Sequence, residues 1–80
     1  MLFLILIVGI MHNVELEKLG NILRQRRELL GLTQVELAIK CQVDRNYIGM
    51  LERGERNPSY LSLLKVVRGL DITLGELLKI

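Results

Sequence analysis

The chain has very few of the residues that build cross-links, metal sites and aromatic cores. Its 80 residues include one cysteine, one histidine, one proline, one phenylalanine, two tyrosines and no tryptophan. A single cysteine excludes an internal disulfide framework and a multi-cysteine zinc site, and it suits a reducing compartment such as the cytoplasm. The length allows one small domain, whose core must be aliphatic.

The sequence also lacks the residue arrangements that enzyme chemistry needs. It contains no Ser-His-Asp set at usable spacing, no glycine-rich phosphate loop and no cluster of metal-ligating side chains. We therefore expect no enzyme activity, no cofactor, no metal and no small-molecule ligand. Eleven Lys and Arg residues against nine Asp and Glu residues give a net charge of +2. That balance permits nucleic-acid binding without establishing it.

An apolar run, interrupted only by Gly9, occupies residues 1–10. A transmembrane helix needs about 20 apolar residues, and a signal peptide needs a basic start and a small-residue cleavage site. The run has neither, so a membrane role is not expected. Its β-branched and aromatic residues favour a strand that would pair with a second subunit. Alternatively, Met11 is the natural start. We divide the chain into an apolar extension, 1–14, and a domain, 15–80.

The remainder of the chain predicts five helices with short connections. Leucines at helical spacing, from Leu16 to Leu30, form one face of the first helix. Hydroxyl and carboxylate residues suited to helix N-termini precede each later helix: Thr33, Asp44, Ser59 and Thr73. Thr33 and Thr73 are each followed three residues later by Glu, which is the capping-box spacing.

The segment Gln34 to Glu52 predicts a helix-turn-helix, because two short helices are joined by three residues. The strings LGLTQVELA, VDRNYIGMLERGERNPS and LLKVVRGLDITLGELL resemble the lambda-repressor-like family of Cro/C1 and xenobiotic-response-element type. The resemblance runs from about Leu16 to the C-terminus. DRNYIGMLERGERNPS most resembles the controller proteins of restriction-modification systems. The resemblance implies a compact all-α fold of five helices and a transcriptional regulator that binds double-stranded DNA as a homodimer on a palindromic operator.

The resemblance also assigns roles to particular residues. It implies that Arg27 and Glu52 form a partly buried ion pair, and that the last helix dimerises through Leu74, Leu77, Leu78 and Ile80. Arg45, at the exposed start of the second motif helix, can bond a guanine through two hydrogen bonds. Gly49 suits close approach of backbone to DNA. The full set of predicted DNA-binding residues is Gln34, Arg45, Asn46, Tyr47, Gly49, Arg53, Arg56 and Asn57.

The chain departs from the family pattern in three places, and two other functions stay open. The turn position that is usually Gly is Gln42, Arg26 takes a place that is usually aliphatic, and the apolar extension has no counterpart in the family. The first alternative function is an antitoxin of the same fold, for which only the extension could bind a toxin. The second is a protein-interaction module that has lost DNA binding, which the polar set Arg45, Asn46, Arg53 and Arg56 argues against.

Overall fold

Five α-helices make up the part of the chain that the structure describes. The structure is a computed structural model, which describes the backbone of residues 2–77 and the side chains of residues 13–77. The helices are α1 (Leu2–Leu29), α2 (Gln34–Cys41), α3 (Arg45–Glu52), α4 (Tyr60–Gly69) and α5 (Leu74–Leu77). The all-α fold is thus confirmed. None of these helices, over the described residues, is long and apolar enough to cross a membrane.

The first helix is longer than predicted and includes the apolar run. The prediction of a strand in the apolar run is wrong for residues 2–10, because α1 runs without interruption from Leu2 to Leu29. The physical reason is cooperativity: once the leucine-rich turns after Glu15 are helical, each added residue gains a hydrogen bond at low entropic cost. No proline interrupts this stretch. A helix also bonds the backbone N–H and C=O groups internally, whereas a lone strand leaves them unpaired.

The predicted helix starts are confirmed by the capping hydrogen bonds. Thr33 Oγ1 accepts from the Glu36 backbone N–H at 3.1 Å, and Glu36 Oε1 accepts from the Thr33 N–H at 2.9 Å. The bond from the Thr33 N–H, together with one from the Thr33 side chain, lowers the pKa of the Glu36 carboxyl, because both donate to its ionised form. Asp44 caps α3 by accepting from the Asn46 N–H, and Ser59 caps α4 by accepting from the Ser62 N–H. Thr73 and Glu76 repeat the reciprocal pair at the start of α5. The four connections are therefore short and fixed at their helix ends.

The turn between α2 and α3 contains Gln42 in the left-handed conformation, with φ 59° and ψ 45°. The turn therefore does have the left-handed backbone that usually takes Gly. A residue with a side chain costs about 1 kcal/mol in that conformation. The Gln42 N–H donates to the carbonyls of Ala38 and Ile39 and so satisfies two carbonyl groups in the last turn of α2. The Val43 N–H donates to the Ala38 carbonyl at 3.0 Å. These bonds hold the turn despite its backbone strain.

The core is aliphatic, as the composition predicts. Its fully buried residues come from every helix: Leu23, Leu37, Ala38, Cys41, Ile48, Leu51, Val66, Val67, Leu70 and Leu77. Leu77 corrects one part of the predicted dimer surface, because it is 3% exposed and packs inside its own protomer. Leu74 is half-buried against the same core. Leu78 and Ile80 lie outside the described residues.

Helices α1 and α3 cross at very short range, and Gly20 permits this. A Cβ atom on Gly20 would collide with the carbonyl oxygens of Leu51 and Glu52 at the C-terminal end of α3. The absence of a side chain therefore sets the distance between the two helices. This crossing fixes one end of α3, and the tight turn after Cys41 fixes the other.

Candidate nucleic-acid interface

Helix α3 has one buried face and one exposed face. Ile48 and Leu51 are almost fully buried and hold the helix against the core. Arg45, Asn46 and Arg53 are exposed on the opposite side. The helix therefore presents polar side chains to solvent while its axis is fixed by packing. This is the arrangement that a helix needs in order to enter a major groove about 12 Å wide.

Buried charges at the junction of α1, α2 and α3 form a fully bonded network. Arg27 Nε donates to Glu52 Oε2 at 2.6 Å, and Arg27 Nη2 donates to Glu52 Oε1 at 3.0 Å. Arg27 Nη1 also donates to the Leu32 carbonyl at 2.8 Å. The hydrogen bond to Glu52 raises the pKa of the Arg27 guanidinium, so the group stays protonated in the folded chain. The pair joins the first and third helices and belongs to the architecture.

Gln34 at the start of α2 extends this network to the motif surface. Its Nε2 donates to Glu52 Oε1 at 3.1 Å. The amide group is thereby held beside α3, at the N-terminal end of α2, where the helix dipole favours a negative ligand. The network thus braces α3 and orients Gln34 in a single unit.

The first turn of α3 presents three of the predicted DNA-binding residues. Asp44 Oδ1 accepts from the Asn46 backbone N–H at 2.7 Å, which fixes the turn that displays Arg45 and Asn46. Tyr47 is half-buried and packs against the core. The Arg56 guanidinium carbon lies 5.7 Å from the Tyr47 ring centroid, within the range of a cation–π contact. Tyr47 therefore contacts both the core and the loop after α3.

Gly49 corrects the prediction that its backbone is open to DNA. It is buried, and a Cβ atom added to it would lie 3.1 Å from Arg53 Nη1 and 3.7 Å from Gln34 Oε1. The side chains of Arg53 and Gln34 therefore cover this glycine. The missing Cβ makes room for the Arg53 guanidinium, whereas Gln34 would be in ordinary contact with a Cβ atom there.

Arg53 also has a partner that sequence reasoning missed. Its Nε lies 3.0 Å from Glu55 Oε2, and both side chains are more than half exposed. The hydrogen bond to Glu55 raises the pKa of the Arg53 guanidinium. The sequence feature that could have predicted this ion pair is the acidic residue two positions after the arginine.

The structure brings the predicted residues together in two groups. Gln34, Gly49 and Arg53 meet on the middle of α3, and Tyr47 meets Arg56 near its start. Arg56 and Asn57 are exposed on the loop that leads to α4. The result is a continuous motif of two helices, with polar and cationic groups on the side away from the core.

These features define a helix-turn-helix protein, and the comparisons agree. The model of the helix-turn-helix family matches residues 23–77, well over half of the chain. The chain belongs to this family, of Cro/C1 type. It is thus related to transcriptional regulators.

Several relatives are controllers of restriction-modification systems. The control protein C.MunI from a Mycoplasma species is 41% identical over 61 residues, which cover 75% of this chain and 82% of that protein. The crystal structure of the controller C.AhdI from Aeromonas hydrophila matches with a TM-score of 0.78 and 44% identity, over 80% of this chain and 97% of that one. The C.Esp1396I tetramer, solved with its natural 35 base-pair operator, gives a TM-score of 0.74 and 34% identity, over 78% and 82%.

Proposed function

We propose that this protein is a sequence-specific DNA-binding regulator that acts as a homodimer on a palindromic operator, in the manner of a restriction-modification controller. The observation that carries the proposal is helix α3. Its inner face is fixed by Ile48, Leu51 and the Arg27–Glu52 pair, and its outer face presents Arg45 and Asn46. The operator complex of C.Esp1396I supports the choice of ligand.

Each residue group has a distinct role in this proposal. Arg45 bonds a guanine edge, since an exposed arginine at the start of the helix reaches deepest into the groove. Gln34 binds a phosphate at the N-terminus of α2. Arg56 and Asn57 contact phosphates beside the groove. Two copies of α3, related by a twofold axis, then bind half-sites about one helical turn apart.

The first test is selection of duplex DNA from a random pool. We expect a single motif with twofold symmetry. Arg45→Ala should then lose about 1–3 kcal/mol at the selected site and relax preference at one base pair. Arg56→Ala should weaken all sequences alike and reduce the salt dependence by about one counterion. Arg24→Ala on α1 removes the same charge from another exposed position and serves as the control.

Two results would contradict this proposal. One is recovery of no motif above the random pool. The other is an Arg45→Ala variant that keeps the ratio between selected and random DNA. The second result would move base recognition to another part of the surface while leaving DNA binding itself intact.

The dimer contact is part of the proposal. After the core is built, Leu74 on α5 remains partly accessible, and we place the main contact there with Leu78 and Ile80. Leu74→Asp should dissociate the dimer in sedimentation measurements. Leu61→Asp is the matched control, because Leu61 is 70% exposed on α4 and its substitution should leave the mass unchanged. Dissociation by Leu61→Asp alone would place the interface on the start of α4.

The role of residues 1–10 is tested by deletion. We propose that this segment adds to the dimer contact and that the domain begins after residue 14. A chain that starts at Met11 should associate more weakly and still bind the selected operator. If it associates and binds like the full chain, the segment is dispensable.

A further inference from the structure

The position of Arg53 differs from that of an ordinary phosphate contact. Arg53 follows the last residue of α3, yet its side chain folds back by one turn and lies over Gly49 in the middle of the helix. Side chains at positions i and i−4 share a helix face, and helical side chains lean toward the N-terminus. The guanidinium is therefore placed on the outer face of α3, one turn closer to its start than the Cα atom of Arg53.

Two neighbours fix this placement. Gly49 supplies the space, since a Cβ atom there would come within 3.1 Å of Arg53 Nη1, and the guanidinium would have to shift by a few tenths of an ångström. Glu55 supplies the anchor, since its Oε2 lies 3.0 Å from Arg53 Nε. The ion pair with Glu55 uses Nε, and Nη1 lies over Gly49 on the outer face of α3. The edge formed by Nη1 and Nη2 is the one that can bond O6 and N7 of a guanine end-on.

We propose that Gly49, Arg53 and Glu55 form a second base-recognition unit on α3, in which Arg53 binds a guanine and the other two residues position it. The inference rests on the proposed function, because it concerns the same DNA-facing helix. A carboxylate that holds an arginine in one orientation reduces the entropy lost on binding and fixes the angle of the fork. Arg53 therefore determines sequence at a base pair other than the one that Arg45 contacts.

A lysine substitution separates base recognition from phosphate binding. A phosphate contact needs only a positive charge, whereas end-on recognition of guanine needs the planar fork of arginine. Arg53→Lys should lower discrimination at one base pair of the selected operator by about ten-fold. Binding to the random pool and its salt dependence should stay at wild-type values. If Arg53→Lys selects the wild-type motif with unchanged discrimination, Arg53 is a phosphate contact and the proposal fails.

The positioning role of Gly49 is tested by coupling. Gly49→Ala should lower discrimination at the same base pair by several-fold, because the added methyl group displaces the Arg53 guanidinium. In a background of Arg53→Ala, the same substitution should have no further effect at that base pair. Gly49→Ala should also stabilise α3, since Ala is the better helix former. Equal losses in both backgrounds would show that the methyl group acts directly on DNA, and would overturn the positioning role.

Glu55 has a closely matched control. Glu55→Gln should reduce discrimination at the Arg53 base pair by several-fold and, because an acidic group is lost, strengthen binding to the random pool. Glu28→Gln changes an equivalent pair on α1, where Arg24 Nε lies 2.7 Å from Glu28 Oε1 and the side chains are 60% and 55% exposed. The Arg53 and Glu55 side chains are 58% and 55% exposed. Equal effects of the two variants on discrimination would refute the role of Glu55.

These outcomes are distinct from failure of the proposed function. If the wild-type chain selects no motif, the regulator proposal itself is wrong. If it selects a motif that Arg45→Ala alters and Arg53→Lys does not, the regulator proposal stands and only the second recognition unit is rejected.

Discussion

The inner and outer faces of α3 carry charged groups in opposite ways. On the inner face, Glu52 is buried and receives hydrogen bonds from Arg27 and Gln34. On the outer face, Arg45 is exposed, and Arg53 has one carboxylate partner that solvent also reaches. A buried charge that loses its partner is costly, whereas an exposed ion pair contributes little to stability.

The difference separates stability from sequence recognition within nine residues, 45–53. Substitutions on the inner face should change the free energy of unfolding and leave the selected DNA motif alone. Substitutions on the outer face should change the motif and leave unfolding nearly unaltered. The predictions below test, at three positions, how strongly the inner face and its supports control stability.

The largest effect is expected from Glu52→Ala. It leaves the Arg27 guanidinium without its carboxylate in a site where only 12% of that side chain is exposed. Loss of one partner of a buried pair costs about 3–5 kcal/mol. We expect about 3 kcal/mol, the lower end of that range, because Arg27 keeps its hydrogen bond to the Leu32 carbonyl. Urea unfolding measures this loss directly.

The control for Glu52→Ala is Glu28→Ala, which breaks an exposed pair with Arg24. Exposed pairs contribute at most about 1 kcal/mol. Unfolding curves of the two variants that coincide would show that the Arg27–Glu52 pair is no more important than a surface pair, and the proposed separation of the two faces would not hold.

Gly20→Ala should have the next largest effect. The added Cβ meets the carbonyl oxygens of Leu51 and Glu52, which belong to the backbone and cannot rotate away. Overpacking of this kind costs about 1–3 kcal/mol, which exceeds the helix propensity gained from Ala. We expect a lower melting temperature and a weaker affinity for the selected operator, because α3 must shift.

Gly75→Ala in α5 is the control, since only Thr73 Oγ1, at 3.8 Å, would contact the new methyl group. That variant should melt at the wild-type temperature or above it. A Gly20→Ala variant that is also as stable as wild type would show that α1 and α3 can separate at little cost.

The smallest effect is expected from Asp44→Ala, which removes the cap at the junction of the two faces. The Asn46 N–H loses its acceptor at 2.7 Å, and removal of such a cap costs about 1 kcal/mol. Asp44→Asn should restore most of the lost stability, because an amide oxygen also accepts this bond. Thermal melts compare the three proteins. If Asp44→Asn melts with Asp44→Ala, the charge and not the cap is responsible.

Local signals in the sequence predicted the helix starts. Thr33, Asp44 and Ser59 each bond an N–H two or three residues ahead, so the evidence lies within one turn of chain. The Arg27–Glu52 pair was predicted from the family resemblance, since 25 residues separate its members.

Other features depend on packing that no local pattern encodes. The apolar run at the N-terminus has residues that suit either strand or helix, and its continuity with α1 decided the outcome. Arg26 Nε donates to the Leu70 carbonyl at 3.3 Å, which gives a charged residue a place beside α4. Nothing in the sequence distinguishes Gly20 from Gly49. In the structure, Gly20 makes room for the backbone of α3, whereas Gly49 makes room for the Arg53 side chain.

The reactivity of the buried Cys41 thiol measures how often the domain opens. Cys41 is 4% exposed and its Sγ lies 3.7 Å from the Val66 carbonyl, while Gly69 leaves room for the sulfur on α4. Burial raises the pKa of the Cys41 thiol, so the folded chain disfavours the thiolate and loses stability as the pH rises through the thiol's unfolded pKa. Since the chain has one cysteine, the rate of its alkylation reports how often α2 and α4 separate. Operator DNA that binds only the closed domain would slow that reaction in proportion to its occupancy.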